Sequence, residues 1–222
     1  MIVIKSAEEK ILIKSLTVIV SIFVILNIIN ALISVPSLQI ARLIDLDLES
    51  NLTTWFSSML LAIAAFFAYK CSLFIKPKAP GKRMWQLLSL GLLGMSCDET
   101  AMIHENLGQA VNKYIFKVGI FSNSSWSVLL GPLITIILFI FAIRMKRYLK
   151  GSTRAIKLLI AGTLIYIVGA FMLESATNLL TPGNLEWLWR TMSILEETFE
   201  MTGTLLIIAG LIEYRKFLSS QN

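Results

Sequence analysis

The segment SCDETAMIHENLG, residues 96–108, carries Asp98, Glu99, His104 and Glu105 in a run that otherwise continues an apolar helix. His104 is the only histidine of the chain. Carboxylates and an imidazole are side chains that bind divalent metals and that exchange protons near neutral pH. The segment therefore predicts a metal site or a proton-handling site, provided that other helices bring further polar groups to it.

Further acids lie in two later apolar segments. The stretch SILEETFEMTGT, residues 193–204, places Glu196, Glu197 and Glu200 on one helical side, because residues three and four apart share a face. Glu174 belongs to the segment before it. Each acid at the centre of a bilayer costs about 2.5 to 3.5 kcal/mol on insertion scales, so these acids need compensating partners.

A helical projection of residues 94–108 places the small and ionisable residues on one arc. Small residues let a neighbouring helix approach and ionisable residues avoid lipid, so this face is predicted to be buried against other helices. Glu99 projects well away from the arc and is predicted to act independently of the site. The arc contains Gly94, Cys97, Asp98, Ala101, His104, Glu105 and Gly108.

We predict a buried, outward-facing site that binds a divalent cation. Helical bundles build carboxylate-rich metal centres by directing acids and histidines inward from facing helices. This ligand set suits Mn, Fe or Zn, or Mg or Ca if the histidine takes no part. The predicted ligands are Asp98, His104, Glu105, Glu174, Glu197 and Glu200, and the secondary candidates are Glu99, Glu196, Asp45, Asp47, Glu49 and Asn51.

Two other interpretations of the acids stay open. A proton pathway is one, because clustered acids with one histidine titrate in steps. The other is structural, since protonated carboxyls can hydrogen-bond one another and hold a bundle together. In DLDLESN, residues 45–51, the alternating acids are similar to a calcium loop but lack the glycine and distal glutamate of an EF-hand, which favours a solvated anionic loop.

The elements that must position these residues are membrane helices. The chain is 56% hydrophobic and 15% charged, with a mean hydropathy of +0.74, too apolar for a soluble domain of 222 residues. About 20 apolar residues cross a hydrocarbon core of about 30 Å as a helix. We predict one all-α polytopic bundle, residues 1–222, with six spans near 11–35, 52–74, 84–111, 127–145, 157–178 and 185–211.

The basic residues predict the orientation of these spans. With the N-terminus inside, the outer segments keep only Arg42, Lys113, Lys117 and Arg190 of the 20 lysines and arginines. The positive-inside rule then places both termini of this multi-pass protein in the cytoplasm. The net charge of +6 reflects this topology and contact with anionic lipid. The predicted partner is therefore the lipid bilayer and not nucleic acid, and a homo-oligomer stays possible.

Four segments, DLDLESNLTTWFSS, SCDETAMIHE, MLES and EETFEM, resemble a group of bacterial six-helix inner-membrane proteins with DExxxxHE and EExxEM motifs. The resemblance spans most of the chain and implies no activity. DLDLESN and DETAM are also similar to segments of the alkaline ceramidase and adiponectin-receptor superfamily of membrane hydrolases. There the acidic segment holds calcium, and Asp98 would match the catalytic aspartate. That superfamily has seven helices and holds zinc with three histidines, whereas this chain has one histidine.

The predicted function is cation transport or sensing at the carboxylate and histidine site. Whether the chain is an enzyme stays open. A metal-dependent hydrolase acting on lipid is one alternative, with a metal-bound water as nucleophile and an acid as general base. A structural membrane scaffold whose polar face binds another protein is the other.

Overall fold

The computed structural model describes residues 6–33, 39–46, 48, 50–114, 131–179 and 186–221. These residues are helical almost throughout and contain no strand, which confirms the all-α prediction for this part of the chain. The elements are α1 (Ser6–Ile33), α2 (Gln39–Ile44), α3 (Leu52–Leu73), α4 (Pro80–Ala101), α5 (Ile103–Tyr114), α6 (Gly131–Lys146), α7 (Thr153–Ile167), a π-helical segment (Val168–Leu173), α8 (Glu174–Leu179) and α9 (Glu186–Ser220).

Three helical stretches are long and apolar enough to cross a membrane, Ala7–Leu32, Leu52–Leu73 and Thr153–Ala176. Many large apolar side chains also face outward, and on α6 the exposed fraction reaches 66% for Phe139. An outer surface of this composition is stable against lipid and not against water. These three stretches therefore have the length and composition of membrane helices, and the apolar outer surface agrees with them.

The longest helix, α9, occupies the centre of the bundle. It packs against α1, α3, α7, the π-helical segment and α8. Its second half is buried, with Ile208 and Leu211 fully enclosed, and the Tyr214 ring stacks on Trp85 with centroids 5.1 Å apart. The segment predicted to end near residue 211 continues as helix to Ser220, because Tyr214 and the residues after it have packing partners.

The beginning of α1 and the end of α9 lie at the same end of the bundle. Glu9, 1% exposed, forms ion pairs with Arg215 and with Lys216, whose Nζ is 3.3 Å from Glu9 Oε2. The Tyr214 hydroxyl donates a hydrogen bond of 2.8 Å to the carbonyl of Tyr148, in the connection between α6 and α7. This end carries most of the basic residues and is called the basic end below.

Serines hold α3 and α4 close together. The Ser58 hydroxyl donates to the carbonyl of Ser96 at 2.6 Å, and the Ser96 hydroxyl donates to the carbonyl of Ser58 at 2.8 Å. About two turns closer to the basic end, the Ser89 hydroxyl donates to the carbonyl of Ala65 at 2.8 Å. Short side chains let the two backbones approach. The α4 face defined by these contacts continues to Glu99.

The helix predicted near 84–111 is two helices, so the prediction of one continuous span is wrong. Met102 adopts the left-handed conformation, φ 53° and ψ 38°, and its N–H donates to the carbonyl of Asp98 at 2.8 Å. This geometry ends α4 and starts the more polar α5 in a new direction. With 22 residues, α4 extends about 33 Å, which is the thickness of a hydrocarbon core, but it is not among the three stretches that are also apolar enough to cross one.

The helix predicted near 157–178 begins at Thr153 and includes the π-helical segment Val168–Leu173. A π-helical turn contains one residue more than an α-helical turn, so the residues after it face a different direction. Gly169 and Ala170 are the buried residues of the segment, and they lie against α9. The segment thereby sets the direction of α8 and of Glu174 at its start.

Candidate functional site

Glu200, on α9, is the centre of a group of acids inside the bundle. The hydroxyl of Tyr166, in the last turn of α7, donates a hydrogen bond to the Glu200 carboxyl. The side chains of both residues are partly buried. The other acids that act on Glu200 electrostatically come from α4, α8 and α9, and we call the whole set, Glu99, Tyr166, Glu174, Glu196 and Glu200, the Glu200 cluster.

A small cavity of about 10 Å³ lies beside the carboxyl groups, between α3, α4, α7 and α9. This volume is close to the space that one water molecule needs. The Ser57 hydroxyl is buried there and has no hydrogen-bond partner within the described part of the chain. The lining residues are Ser57, Leu60, Leu61, Glu99, Tyr166, Glu200, Met201 and Thr204.

Glycines bring α7 and α9 together at the cluster. A Cβ added to Gly203 would lie 2.6 Å from the backbone nitrogen of Tyr166, and one added to Gly162 would lie 2.7 Å from the carbonyl oxygen of Gly203. A Cβ added to Gly169 would lie 2.9 Å from the Glu200 side chain. These positions have no room for a larger residue, so the glycines fix the distance at which Tyr166 meets Glu200.

Asp98 and His104 form a separate pair across the break between α4 and α5. Asp98 Oδ1 accepts the backbone N–H of His104 at 2.8 Å, and Asp98 Oδ2 lies 2.6 Å from Nδ1 of the ring. Burial lowers the pKa of His104, but the hydrogen bond and the charge of Asp98, followed by the charges of Glu105 and Glu99, outweigh it and raise the pKa above its ordinary value. The pair holds the first turn of α5 against the end of α4.

The structure thus divides the predicted ligand set. Glu174 and Glu200 belong to the Glu200 cluster, whereas Asp98 and His104 face each other, and neither of these two lines the cavity. Within the ranges described above, no group of three or more histidine, cysteine, aspartate or glutamate side chains has an arrangement that could hold a metal ion. Two predicted ligands remain. The charge of Glu105 interacts electrostatically with the His104 ring, and the charge of Glu197 with the Tyr166 hydroxyl.

The helical projection of residues 94–108 is wrong for Glu99. It predicts that Glu99 points away from the site, whereas Glu99 lines the cavity together with Glu200. The arc predicted to be buried is exposed at Gly94, Cys97 and Ala101, and of its seven residues only Gly108 is fully buried. The buried face of α4 follows instead a stripe of residues four and three apart, Trp85, Ser89, Leu92, Ser96 and Glu99.

The sequence contained a signal for this face, since the stripe combines one tryptophan with two serines at helical spacing. Tyr166 and Ser57 were missed as well. Tyrosine is common in apolar segments, and a single serine in a helix gives no spacing to interpret. The contact of Tyr166 with Glu200 depends on the crossing of α7 and α9, which involves residues far apart in the chain.

Asn51, a secondary candidate for cation binding, is the N-cap of α3. Its Oδ1 accepts the backbone N–H groups of the residues two and three positions on, each at 3.0 Å. Its Nδ2 donates to the backbone carbonyl of Asp45 at 2.5 Å. Capping of this kind stabilises a helix start and gives Asn51 a structural role. Asp47 and Glu49 lie outside the described residues.

A comparison with protein families gives one finding. A family model described as a domain of unknown function (DUF8692) matches residues 15–213, which include every residue of the Glu200 cluster and the Asp98 and His104 pair. No curated protein and no solved structure matches this chain.

Proposed function

This chain belongs to the family described as a domain of unknown function (DUF8692), and we propose that it is a membrane protein that binds and releases a cation at the Glu200 cluster. The cation proposed is the proton, and the role proposed is transport or sensing. The observation that supports this function is the convergence of Glu99, Glu174 and Glu196 on the Glu200 carboxyl, beside a cavity the size of one water.

The acids around Glu200 favour the binding of a cation. The charges of three acids act on the Glu200 carboxyl inside a low-dielectric bundle, where like charges repel one another far more strongly than in water. The strongest electrostatic neighbours of Glu200 are acids, and Tyr166 contributes a neutral hydroxyl. Such a group is stable only if bound cations neutralise part of it. Cation binding is therefore a property expected of the cluster itself.

Space favours the proton over a larger ion. Divalent metals need four to eight ligands, several of them often water, arranged around a cavity. The space beside Glu200 measures about 10 Å³. A proton needs only a carboxyl oxygen, and the Tyr166 hydroxyl already donates a hydrogen bond to the Glu200 carboxyl. A divalent cation held by the same acids is the second candidate.

We propose further that the chain crosses a bacterial inner membrane six times with both termini in the cytoplasm. The contact of Glu9 with Arg215 supports a common side for the two ends. The basic residues around that end support a cytoplasmic location. Glu200 lies about 22 Å along α9 from Arg215, at about 1.5 Å rise per residue, so with this topology we expect the cluster in the outer half of the membrane.

Infrared spectroscopy of the purified protein tests the function. A protonated carboxyl in an apolar site has an absorption band separate from that of an ionised carboxylate. We expect wild type to show this band near neutral pH and Glu200→Gln to lose intensity. Glu213→Gln is the matched control, because Glu213 is a partly exposed acid of the same helix at the basic end. A wild-type spectrum without the band would overturn proton binding.

Elemental analysis of the same samples tests the second candidate. The proposal predicts less than about a tenth of an equivalent of any divalent metal, because a protonated cluster leaves no charge to hold one. A stoichiometric metal that is lost in Glu200→Gln and kept in Glu213→Gln would replace the proton by a metal ion as the cargo or signal of this site.

A further inference from the structure

Ser57, on α3, is an exception among the buried hydroxyl groups of the described residues. It is 7% exposed, and its Oγ has no hydrogen-bond partner there. The other buried serines and threonines have partners, for example Ser72, whose hydroxyl donates to the carbonyl of Tyr69 at 2.7 Å, and Thr204, whose hydroxyl donates to the carbonyl of Glu200 at 2.8 Å. A buried hydroxyl without a partner destabilises a fold, so its presence indicates an additional partner.

The position of Ser57 shows where this partner lies. Its residue lines the cavity of about 10 Å³, together with Glu99 and Glu200. A buried water occupies about this much space and makes two to four hydrogen bonds to polar groups. Ser57, Glu99, Tyr166 and Glu200 offer oxygens from four different helices around that space. The cavity therefore has both the size and the polar lining of a water site.

We propose that the cavity holds one water molecule, bound by the Ser57 hydroxyl, that links the carboxyl of Glu99 to the carboxyl of Glu200. This inference rests on the proposed function and names the route of the proton within the site. One carboxyl gives a proton to the water while the water gives another proton to the second carboxyl. One proton is transferred, and the water is unchanged. Ser57 is a positioning residue, because it orients the water and does not itself exchange the proton.

Ser57→Ala tests the water by the sign of its effect on stability. With a bound water, alanine removes a hydrogen bond, and the thermal midpoint falls by about 2 to 4 °C for a chain of this length. In a dry cavity, alanine removes an unsatisfied hydroxyl, and the midpoint rises. Ser72→Ala is the matched control, because Ser72 is a fully buried serine of the same helix and its hydroxyl bonds to a carbonyl of that helix.

The infrared spectrum supplies a readout that a purely structural effect would not move. Ser57→Ala should shift the frequency of the protonated carboxyl band, and Ser72→Ala should leave it unchanged. In wild type, a bound-water stretching band should shift when the protein is transferred to water enriched in heavy oxygen. An increased midpoint in Ser57→Ala, or no such water band in wild type, would contradict the inference.

The failure of this inference can be distinguished from the failure of the proposed function. If wild type has the carboxyl band and Glu200→Gln loses it, but Ser57→Ala raises the midpoint, protons bind at a dry site and only the water is wrong. If the carboxyl band is missing altogether, the function is wrong, and the water band still decides whether the cavity is hydrated. If the thermal midpoint of wild type is higher in sodium than in choline salt at equal ionic strength, the cavity holds a metal cation, and the proposed water is wrong.

Discussion

Gly203 of α9 and Tyr166 of α7 are in backbone contact, since a Cβ added to Gly203 would lie 2.6 Å from the Tyr166 nitrogen. The helix crossing that this contact permits is what places the Tyr166 hydroxyl on Glu200. Packing and chemistry therefore depend on the same few residues.

Gly203→Ala should reduce the free energy of unfolding by about 1 to 3 kcal/mol, as overpacking of a tight contact does. The backbone atoms of Tyr166 and Gly162 that an added Cβ would meet cannot move away unless α7 separates from α9. Gly94→Ala is the matched control, because a Cβ there meets nothing within 4 Å, and alanine favours helix by about 1 kcal/mol. Reversible unfolding in detergent measures both. Equal effects of the two substitutions would show that the glycine contact is unimportant.

Glu99 and Glu200 should be energetically coupled. Neutralising either carboxyl removes its repulsion with the other. The effect of the double substitution Glu99→Gln and Glu200→Gln on the free energy of unfolding should therefore differ from the sum of the single effects by more than about 0.5 kcal/mol. Glu186→Gln is the control partner, because Glu186 is exposed and pairs with Arg190 at 3.2 Å. Glu186→Gln and Glu200→Gln should add. Additivity in both cycles would separate Glu99 from the cluster.

The pair of Asp98 and His104 should stabilise the fold at low pH more than at high pH. The folded pKa of His104 is raised, so its contribution is complete below the unfolded pKa of about 6.5 and is lost as pH rises through the folded value. Asp98, Glu105 and Glu99 are the charges that favour the protonated ring. The difference in thermal midpoint between wild type and His104→Gln should therefore decrease on raising the pH from 5 to 9. A difference that grows over this range would contradict the assignment.

Glu9→Gln should destabilise the fold by about 3 to 5 kcal/mol, because it leaves the side chains of Arg215 and Lys216 without their buried carboxylate. Glu8→Gln is the control at the neighbouring, exposed position and should change the stability by less than about 0.5 kcal/mol. Urea or thermal unfolding in detergent at two salt concentrations measures both. If the loss in Glu9→Gln disappears at high salt, the ion pair behaves as a surface contact.

Asn51→Ala should cost about 0.5 to 2 kcal/mol as the loss of an N-cap. Asn51→Asp should also be less stable than wild type, because it keeps the capping oxygen but replaces the Nδ2 donor by an oxygen that faces the Asp45 carbonyl. Added calcium should leave the thermal midpoint of wild type unchanged. A calcium-dependent midpoint that Asn51→Ala abolishes would instead support the interpretation of residues 45–51 as a cation loop.

The helical nature of the described residues could be predicted from composition and spacing, because apolar length and helical periodicity are local properties. The direction of Glu99 could not be predicted by following ionisable residues alone, since on α4 the serine stripe and not the acidic arc faces the bundle. The break at Met102 has no glycine or proline to mark it. Asp98 stabilises it by accepting the His104 N–H, a contact between residues that a straight helix would keep apart.

Glu174 and Tyr166 show a second limit of periodicity. The π-helical segment between them adds a residue to one turn, so any projection at a constant angle misplaces everything after it. Whether Tyr166 touches Glu200 depends on glycines in two helices that are distant in sequence. Such tertiary contacts are absent from the pattern of either helix alone.

The buried ion pair of Glu9 has a consequence for the order of synthesis. Glu9 and Arg215 are 206 residues apart, so α1 enters the membrane long before the ribosome has made its partner. Until Arg215 and Lys216 are made, the Glu9 side chain lacks the partners of its buried ion pairs, so α1 cannot take its final place in the bundle. The last residues of α9 therefore complete the assembly of the first helix, and a nascent chain released before Arg215 would leave α1 without its ion pair.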